Sequence, residues 1–191
     1  AISGTITLND YTVALSGSVA DIKAALSGTF ASSHTGNVTI TDENGTNIAA
    51  ADLSTIAGAT TGTLTVSNNI NITGTSAALV TALGNVDTFG GTPTATLSDA
   101  HTLAELKAIN DAISGTITLN DYTVALSGSV ADIKAALAGS FAQTYTGNVT
   151  ITDANGTGIA AADINTIAGA TTGTLTVSNN INITGTSAAL V

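Results

Sequence analysis

Five aspartates stand at matching places in this sequence: Asp10, Asp42, Asp99, Asp121 and Asp153 each close a short Thr-rich run. Hard cations take oxygen ligands, so carboxylates gathered at one corner of successive turns of chain are candidate ligands for Ca²⁺. Asp42-Glu43-Asn44-Gly45 and Asp153-Ala154-Asn155-Gly156 begin like a calcium loop, but both lack the remaining ligands and a bidentate Glu at the required spacing, so a tight turn is expected. Like charges held close oppose folding. Asn68 and Asn179 interrupt the acidic column, and the turns differ in length, so the expectation is that the carboxylates splay into water, where screening makes their repulsion cheap.

The other reactive residue types are few. His34 becomes Tyr145 in a sister copy and His101 precedes a helix cap; neither has a repeated metal partner, and both are expected at the surface. No nucleophile-elbow sequence frames a serine. Cysteine is absent, which excludes thiol catalysis and thiolate metal sites. No residue is assigned a catalytic or cofactor-binding role, Ca²⁺ at the aspartates is the one metal candidate, and the chain is not expected to be an enzyme. Six Asn-x-Ser/Thr sequons begin at Asn37, Asn44, Asn71, Asn148, Asn155 and Asn182, several of which chance supplies in so Thr-rich a chain.

What must position these residues is a repeat. Ala1 to Val80 returns as Ala112 to Val191, a period of 111 residues, with nine substitutions. They are Ser27 to Ala138, Thr29 to Ser140, Ser32 to Gln143, Ser33 to Thr144, His34 to Tyr145, Glu43 to Ala154, Asn47 to Gly158, Leu53 to Ile164 and Ser54 to Asn165. Repetition at this fidelity is an architectural signal. Within one period four looser units align through Thr7, Thr39, Thr65 and Thr96, and the next begins at Thr118. Each opens with alternating polar and apolar residues, the pattern of a half-buried strand, with Ile6 and Leu8, Val38 and Ile40, Leu64 and Val66, and Ala95 and Leu97 facing inward.

A polar turn and a short alanine-rich helix follow. Ser18, Thr75 and Thr102 are the expected N-caps, Thr102-Leu-Ala-Glu105 is a capping box, and Gly28, Gly58 and Gly84 are expected to end their helices. Extra extended residues at Tyr11–Leu15 and Ile70–Thr73 have room for second short strands. The fold class expected is α/β: a repeat solenoid of stacked strand-turn-helix coils with a parallel β-sheet. Residues 1–111 form a first repeat of four coils, and 112–191 a second, truncated repeat of three, continuous with the first so that the strand at Thr96 meets that at Thr118. The competing reading pairs Thr5–Leu8 with Tyr11–Val13 as hairpins in an array of small domains. The second copy stops at Leu190-Val191 inside an expected helix, as in a piece of a longer repetitive protein.

Stacking creates a column of Thr7, Thr39, Thr65, Thr96, Thr118, Thr150 and Thr176, with Thr5, Thr63, Thr94, Thr116 and Thr174 two residues earlier, broken at Asn37 and Asn148. Such a face serves as β-favouring surface, or, in the alternative, as a binding face for ice or carbohydrate. Aromatic residues make up only 3%, too few for a large conventional core but enough for thin solenoid layers. Three Lys+Arg stand against thirteen acids, for a formal charge of -10. With no basic stripe and no stacking platform, nucleic acid is not an expected partner. No 18-residue apolar run is present, so no transmembrane segment is expected.

The units Ser16-Gly-Ser-Val-Ala-Asp-Ile-Lys-Ala-Ala-Leu26, Thr73-Gly-Thr-Ser-Ala-Ala-Leu-Val-Thr-Ala-Leu83 and Ile48-Ala-Ala-Ala-Asp-Leu-Ser-Thr-Ile56 resemble those tiled through giant secreted and cell-surface proteins of cyanobacteria and other aquatic bacteria. The resemblance covers essentially the whole chain. It implies an extracellular or cell-surface location and a structural role as filament, surface layer or adhesin stalk, with neighbouring copies as partners, end to end or laterally. The calcium-binding nonapeptide repeats that accompany some members are absent here. Leu64-Thr-Val-Ser-Asn-Asn-Ile70 is also similar to a leucine-rich repeat, which implies a strand-and-helix coil.

Overall fold

The computed structural model describes residues 4–186 and 188. It is an α/β structure with six helices and parallel strands in several small sheets among the described residues. Two compact units divide it: Ala1–Gly74 with Ala78–Thr96, and Thr75–Ala77 with Leu97–Val191. The division falls at Thr96/Leu97, so residues 97–111 group with the second copy.

In the first unit the chain passes repeatedly through strand, strand and helix. Its elements are β1 (Leu15–Gly17), α1 (Val19–Leu26), β2 (Val38–Ile40), β3 (Asn47–Ala49), α2 (Ala50–Ala59), β4 (Leu64–Val66), β5 (Asn71–Gly74), α3 (Ser76–Asn85), β6 (Thr88–Phe89) and β7 (Thr94–Leu97). One sheet runs β1-β2-β4-β6, all parallel, with Leu15 against Val38, Val38 against Leu64, and Thr65 against Thr88. A second holds β3, β5 and β7 in that order, with Ile48 against Ile72. Alternation does what the pattern predicts: Val38, Ile40, Leu64 and Val66 are buried while Thr39 and Thr65 between them are half-exposed. Ile48 and Ile72 from the second sheet and Ile22, Leu53 and Ile56 from the helices complete the core. Each such side chain contributes about 1.5–3 kcal/mol by leaving water, which is what holds helices too short to persist alone.

The second unit contains α4 (Leu103–Ala112), β8 (Ile117–Thr118), β9 (Leu126–Gly128), α5 (Val130–Leu137), β10 (Val149–Ile151), β11 (Gly158–Ala160), α6 (Ala161–Ala170), β12 (Leu175–Val177) and β13 (Asn182–Thr184). Strands β9, β10 and β12 form one parallel sheet, and β11 and β13 another, in the register of the first copy. The expected helix near Leu190-Val191 lies outside the described residues.

Several expectations are corrected. The Thr column is not continuous: Thr39 pairs with Thr65 and Thr150 with Thr176, but Ser16, not Thr7, faces Thr39, and Thr88, not Thr96, faces Thr65. Thr96 belongs to the other sheet, where its hydroxyl donates to Asn71 Oδ1. Two strands per pass, rather than one, cause the shift. Of the anticipated second strands, Ile70–Thr73 forms as β5, while the other lies at Leu15–Gly17 rather than Tyr11–Leu15. No hairpin pairs Thr5–Leu8 with Tyr11–Val13; Ile6 instead bridges Phe30 in parallel. Helices α2 and α3 continue through Gly58 and Gly84, an interior glycine costing only about 1 kcal/mol against such packing. The caps at Ser18 and the box at Thr102 form as expected.

Close backbone stacking explains the recurring Thr-Gly pairs. A Cβ on Gly36 would collide with the Val13 carbonyl, and one on Gly62 with the Gly36 carbonyl, so neither position admits a side chain.

Candidate functional site

The aspartates and asparagines form the most systematic polar arrangement in the molecule. The first amides of a helix have no partner within it, and its N-terminus carries partial positive charge. At α1, Ser18 Oγ accepts from the Asp21 amide, and the Val19 amide donates at 2.7 Å to Asp42 Oδ2, 23 residues further along the chain. Copy two repeats this with Ser129 and with Val130 N–H donating to Asp153 Oδ2 at 2.8 Å. Asp99 Oδ1 takes the Ser76 amide at 2.7 Å, again 23 residues away. Asp87 Oδ2 takes the Leu64 amide at the same separation.

Asparagines extend the arrangement. Asn68 Nδ2 donates to the Asp42 carbonyl and Asn179 Nδ2 to that of Asp153. Asn37 and Asn148 accept from the amides of Thr63 and Thr174. Asn44 and Asn155 accept from Asn69 and Asn180, and Asn69 from Thr92. These include four of the sequon asparagines, and a fifth, Asn71, donates to Asn47 Oδ1 and accepts from Thr94 and Thr96. Bonds between one pass of chain and the next account for these side chains.

The five candidate calcium ligands therefore separate into two groups. Asp42, Asp99 and Asp153 cap backbone amides from another pass. Asp10 and Asp121 close local turns, each accepting from the amide and hydroxyl of the threonine two residues on. Those hydrogen bonds hold the Asp10 and Asp121 carboxyls below their ordinary range. The expected splaying into water thus describes neither group fully, since each carboxylate has a defined donor. Among the described residues no three His, Cys, Asp or Glu side chains converge as a metal site. Gly45 and Gly156 adopt positive φ (79° and 78°), which turns the Asp-x-Asn-Gly segments tightly.

All three lysines are ion-paired. Lys23 with Asp52 links α1 to α2, Lys134 with Asp163 links α5 to α6, and Lys107 pairs with Asp111 within α4. Partly exposed pairs of this kind add about 0–1 kcal/mol.

Both histidines are buried, correcting the surface expectation: His34 is 5% and His101 3% exposed. In the second unit Tyr145 Oη donates to the Val124 carbonyl at 2.5 Å and lies 3.3 Å from His101 Nε2. With the hydroxyl proton on Val124, His101 must donate through Nε2, which leaves its buried Nδ1 without a partner. Burial holds the His101 imidazole below its ordinary pKa, against the opposing fields of Asp121, Glu105 and Asp99. Burial likewise raises the Tyr145 phenol. His34, at the equivalent position in the first unit, has a buried Nε2 with no partner.

Sequence reasoning missed Asp87, the Lys-to-Asp links and the His101–Tyr145 pair. The signal available for the first was an acid 23 residues beyond an unpaired amide, repeated at Val19/Asp42 and Val130/Asp153. Comparison with protein-family models, curated proteins and solved structures returns no match to this chain.

Proposed function

We propose that this chain is a non-enzymatic structural repeat segment of a long secreted bacterial surface protein, a filament, surface layer or adhesin stalk, folded as a solenoid whose coils stack through parallel strands. The observation that carries this reading is the spending of polar chemistry on stacking: carboxylates and carboxamides that elsewhere bind ligands here bond the coil 23 to 27 residues away. In such a chain stability is a sum of coil and neighbour terms, and length is gained by copying.

The alternative, an ordered Thr face for ice or carbohydrate, has less support. The register sets Thr against Thr only at Thr39/Thr65, Thr150/Thr176 and Thr65/Thr88, and places Ser16 and Ser127 at the ends of those rows. The described residues contain no helix long and apolar enough to cross a membrane, and neighbouring copies are the partners proposed. The reading is tested by immunogold labelling of intact source cells with antibody to the 191-residue chain. Label on the outer surface or on surface filaments is expected; label confined to the cell interior would refute it.

A further inference from the structure

We propose that this chain associates head to tail with a second copy of itself, the β12–β13 edge of one molecule receiving the Val13–Gly17 edge of the next. The inference rests on the repeat reading above and adds to it the two faces and their polarity. In a parallel pair each residue sends its N–H and C=O to the same side, and successive residues alternate. On β12, Thr174 O accepts from Val149 and the Ser178 amide donates to Ile151, so the groups of Leu175 and Val177 lie on the opposite, open side. Val177 and Ile183 are 38% and 47% exposed there.

The same sequence in copy one shows what this face accepts. Leu64–Thr73 is identical to Leu175–Thr184, and there the next pass covers it. Asp87 N–H donates to Leu64 O, Gly90 N–H to Val66 O and Thr94 N–H to Ile70 O, and Val66 and Ile72 become fully buried. The face is thus built to take another strand-bearing coil.

The opposite edge is its complement. Leu15 N–H donates to Asn37 O and Gly17 O accepts from Thr41, so both spend their groups on β2 and those of Ser16 point away. Val13 is 54% exposed, and Ile6 and Leu15 are only half-covered. In copy two the identical Ile117 and Leu126 are buried, and the Leu103 side chain lies where a Cβ on Gly128 would stand. Placing Leu15 over Leu175 and Gly17 over Val177 continues the register Leu15–Val38–Leu64 and supplies Ser16 N–H and C=O to the open groups of Leu175 and Val177. Because the two faces differ, the contact is heterologous and does not close on itself as a dimer.

Sedimentation velocity on the full chain in 0.15 M salt, at rising concentration, tests this. The wild type is expected to grow past dimer without reaching a closed state. Val13→Lys and Ile183→Lys, both at exposed sites and so compatible with folding, are each expected to remain monomeric, with Val177→Lys as a second variant of the latter face. Mixed in equal amounts, Val13→Lys and Ile183→Lys retain one good face apiece and are expected to give one-to-one dimers and nothing larger. A wild type that stays monomeric at hundreds of micromolar overturns the proposal, as does a Val13→Lys or Ile183→Lys protein that still dimerises alone. Surface labelling of cells is independent of these outcomes, so loss of the head-to-tail contact leaves the repeat reading standing.

Discussion

Ile6–Gly17 and Ile117–Gly128 are the same twelve residues in the same order, yet they occupy different environments. Ile117 and Leu126 are 0% and 2% exposed, whereas Ile6 and Leu15 are half-exposed. The contrast reverses at the other end of the copies, where Val66 and Ile72 are buried and their counterparts Val177 and Ile183 are open. In this architecture a segment's sequence determines its local conformation, while its burial, and therefore its energy, is conferred by the pass that follows or precedes it.

The most severe way to break that comparison is truncation. Leu126→Ala is expected to destabilise by about 2–5 kcal/mol, as a buried leucine that leaves a cavity, and Leu15→Ala by about 1 kcal/mol or less. Val66→Ala and Val177→Ala should show the same inequality. Urea unfolding followed by circular dichroism measures all four, and equal losses within either pair would sink the idea.

The one aromatic difference between the copies sharpens it further. Tyr145→Phe leaves the Val124 carbonyl and His101 Nε2 without their shared hydroxyl, at a cost of about 1–3 kcal/mol. His34→Tyr offers the first unit a hydroxyl near the Val13 carbonyl and should be neutral or stabilising. A stabilising Tyr145→Phe would show the hydrogen-bonded pair to be unimportant.

pH separates the same region from the rest. His101 has its imidazole pKa depressed below 6.5 by burial, so unfolded chains bind the proton more readily than folded ones below that value. Stability is then complete above pH 6.5 and falls as acid is added through the folded pKa. Glu105, Asp10 and Asp121, depressed by hydrogen bonds to threonine, lose their contributions only in the lower window beneath ordinary carboxylate values. Urea midpoints between pH 8 and 5 should decline in the wild type and flatten in His101→Phe; an unchanged slope would remove His101 as the cause.

The smallest effect is expected at Gly158, which replaces Asn47. In copy one Asn71 Nδ2 donates to Asn47 Oδ1 at 2.8 Å, and copy two lacks that acceptor. Gly158 has open space at its Cβ position and no positive φ, so Gly158→Asn should gain about 0.5–1 kcal/mol from the new bond and a less flexible unfolded chain. Thermal melting would register it as a small rise.

Much of this structure was readable from local pattern. Val38-Thr-Ile40 and Leu64-Thr-Val66 alternate cleanly and pair in the expected register, and Ser18 and Thr102 cap because their chemistry acts within three residues. What failed depended on distant neighbours. Leu15-Ser-Gly17 carries no alternation to mark it as the partner of Val38, so Thr7 was the better match by sequence and the wrong one in space. The burial of His34 and His101 depends on packing that their own flanks do not announce. Of the candidate site, the aspartates were found but their use was not. A carboxylate in a turn looks the same whether it faces a cation, water, or an amide 23 residues away.

The His101–Tyr145 contact spans 44 residues, where the side-chain bonds from one pass to the next span 21 to 29. Under tension a chain joined only to its nearest passes would peel from an end, surrendering roughly 80 Å of contour with each 24 or so residues released. A fastening that skips a pass interrupts such peeling. In force spectroscopy the second unit should therefore resist longer at this point and then give way in a double-length step, a mechanical signature that the histidine-bearing first unit lacks.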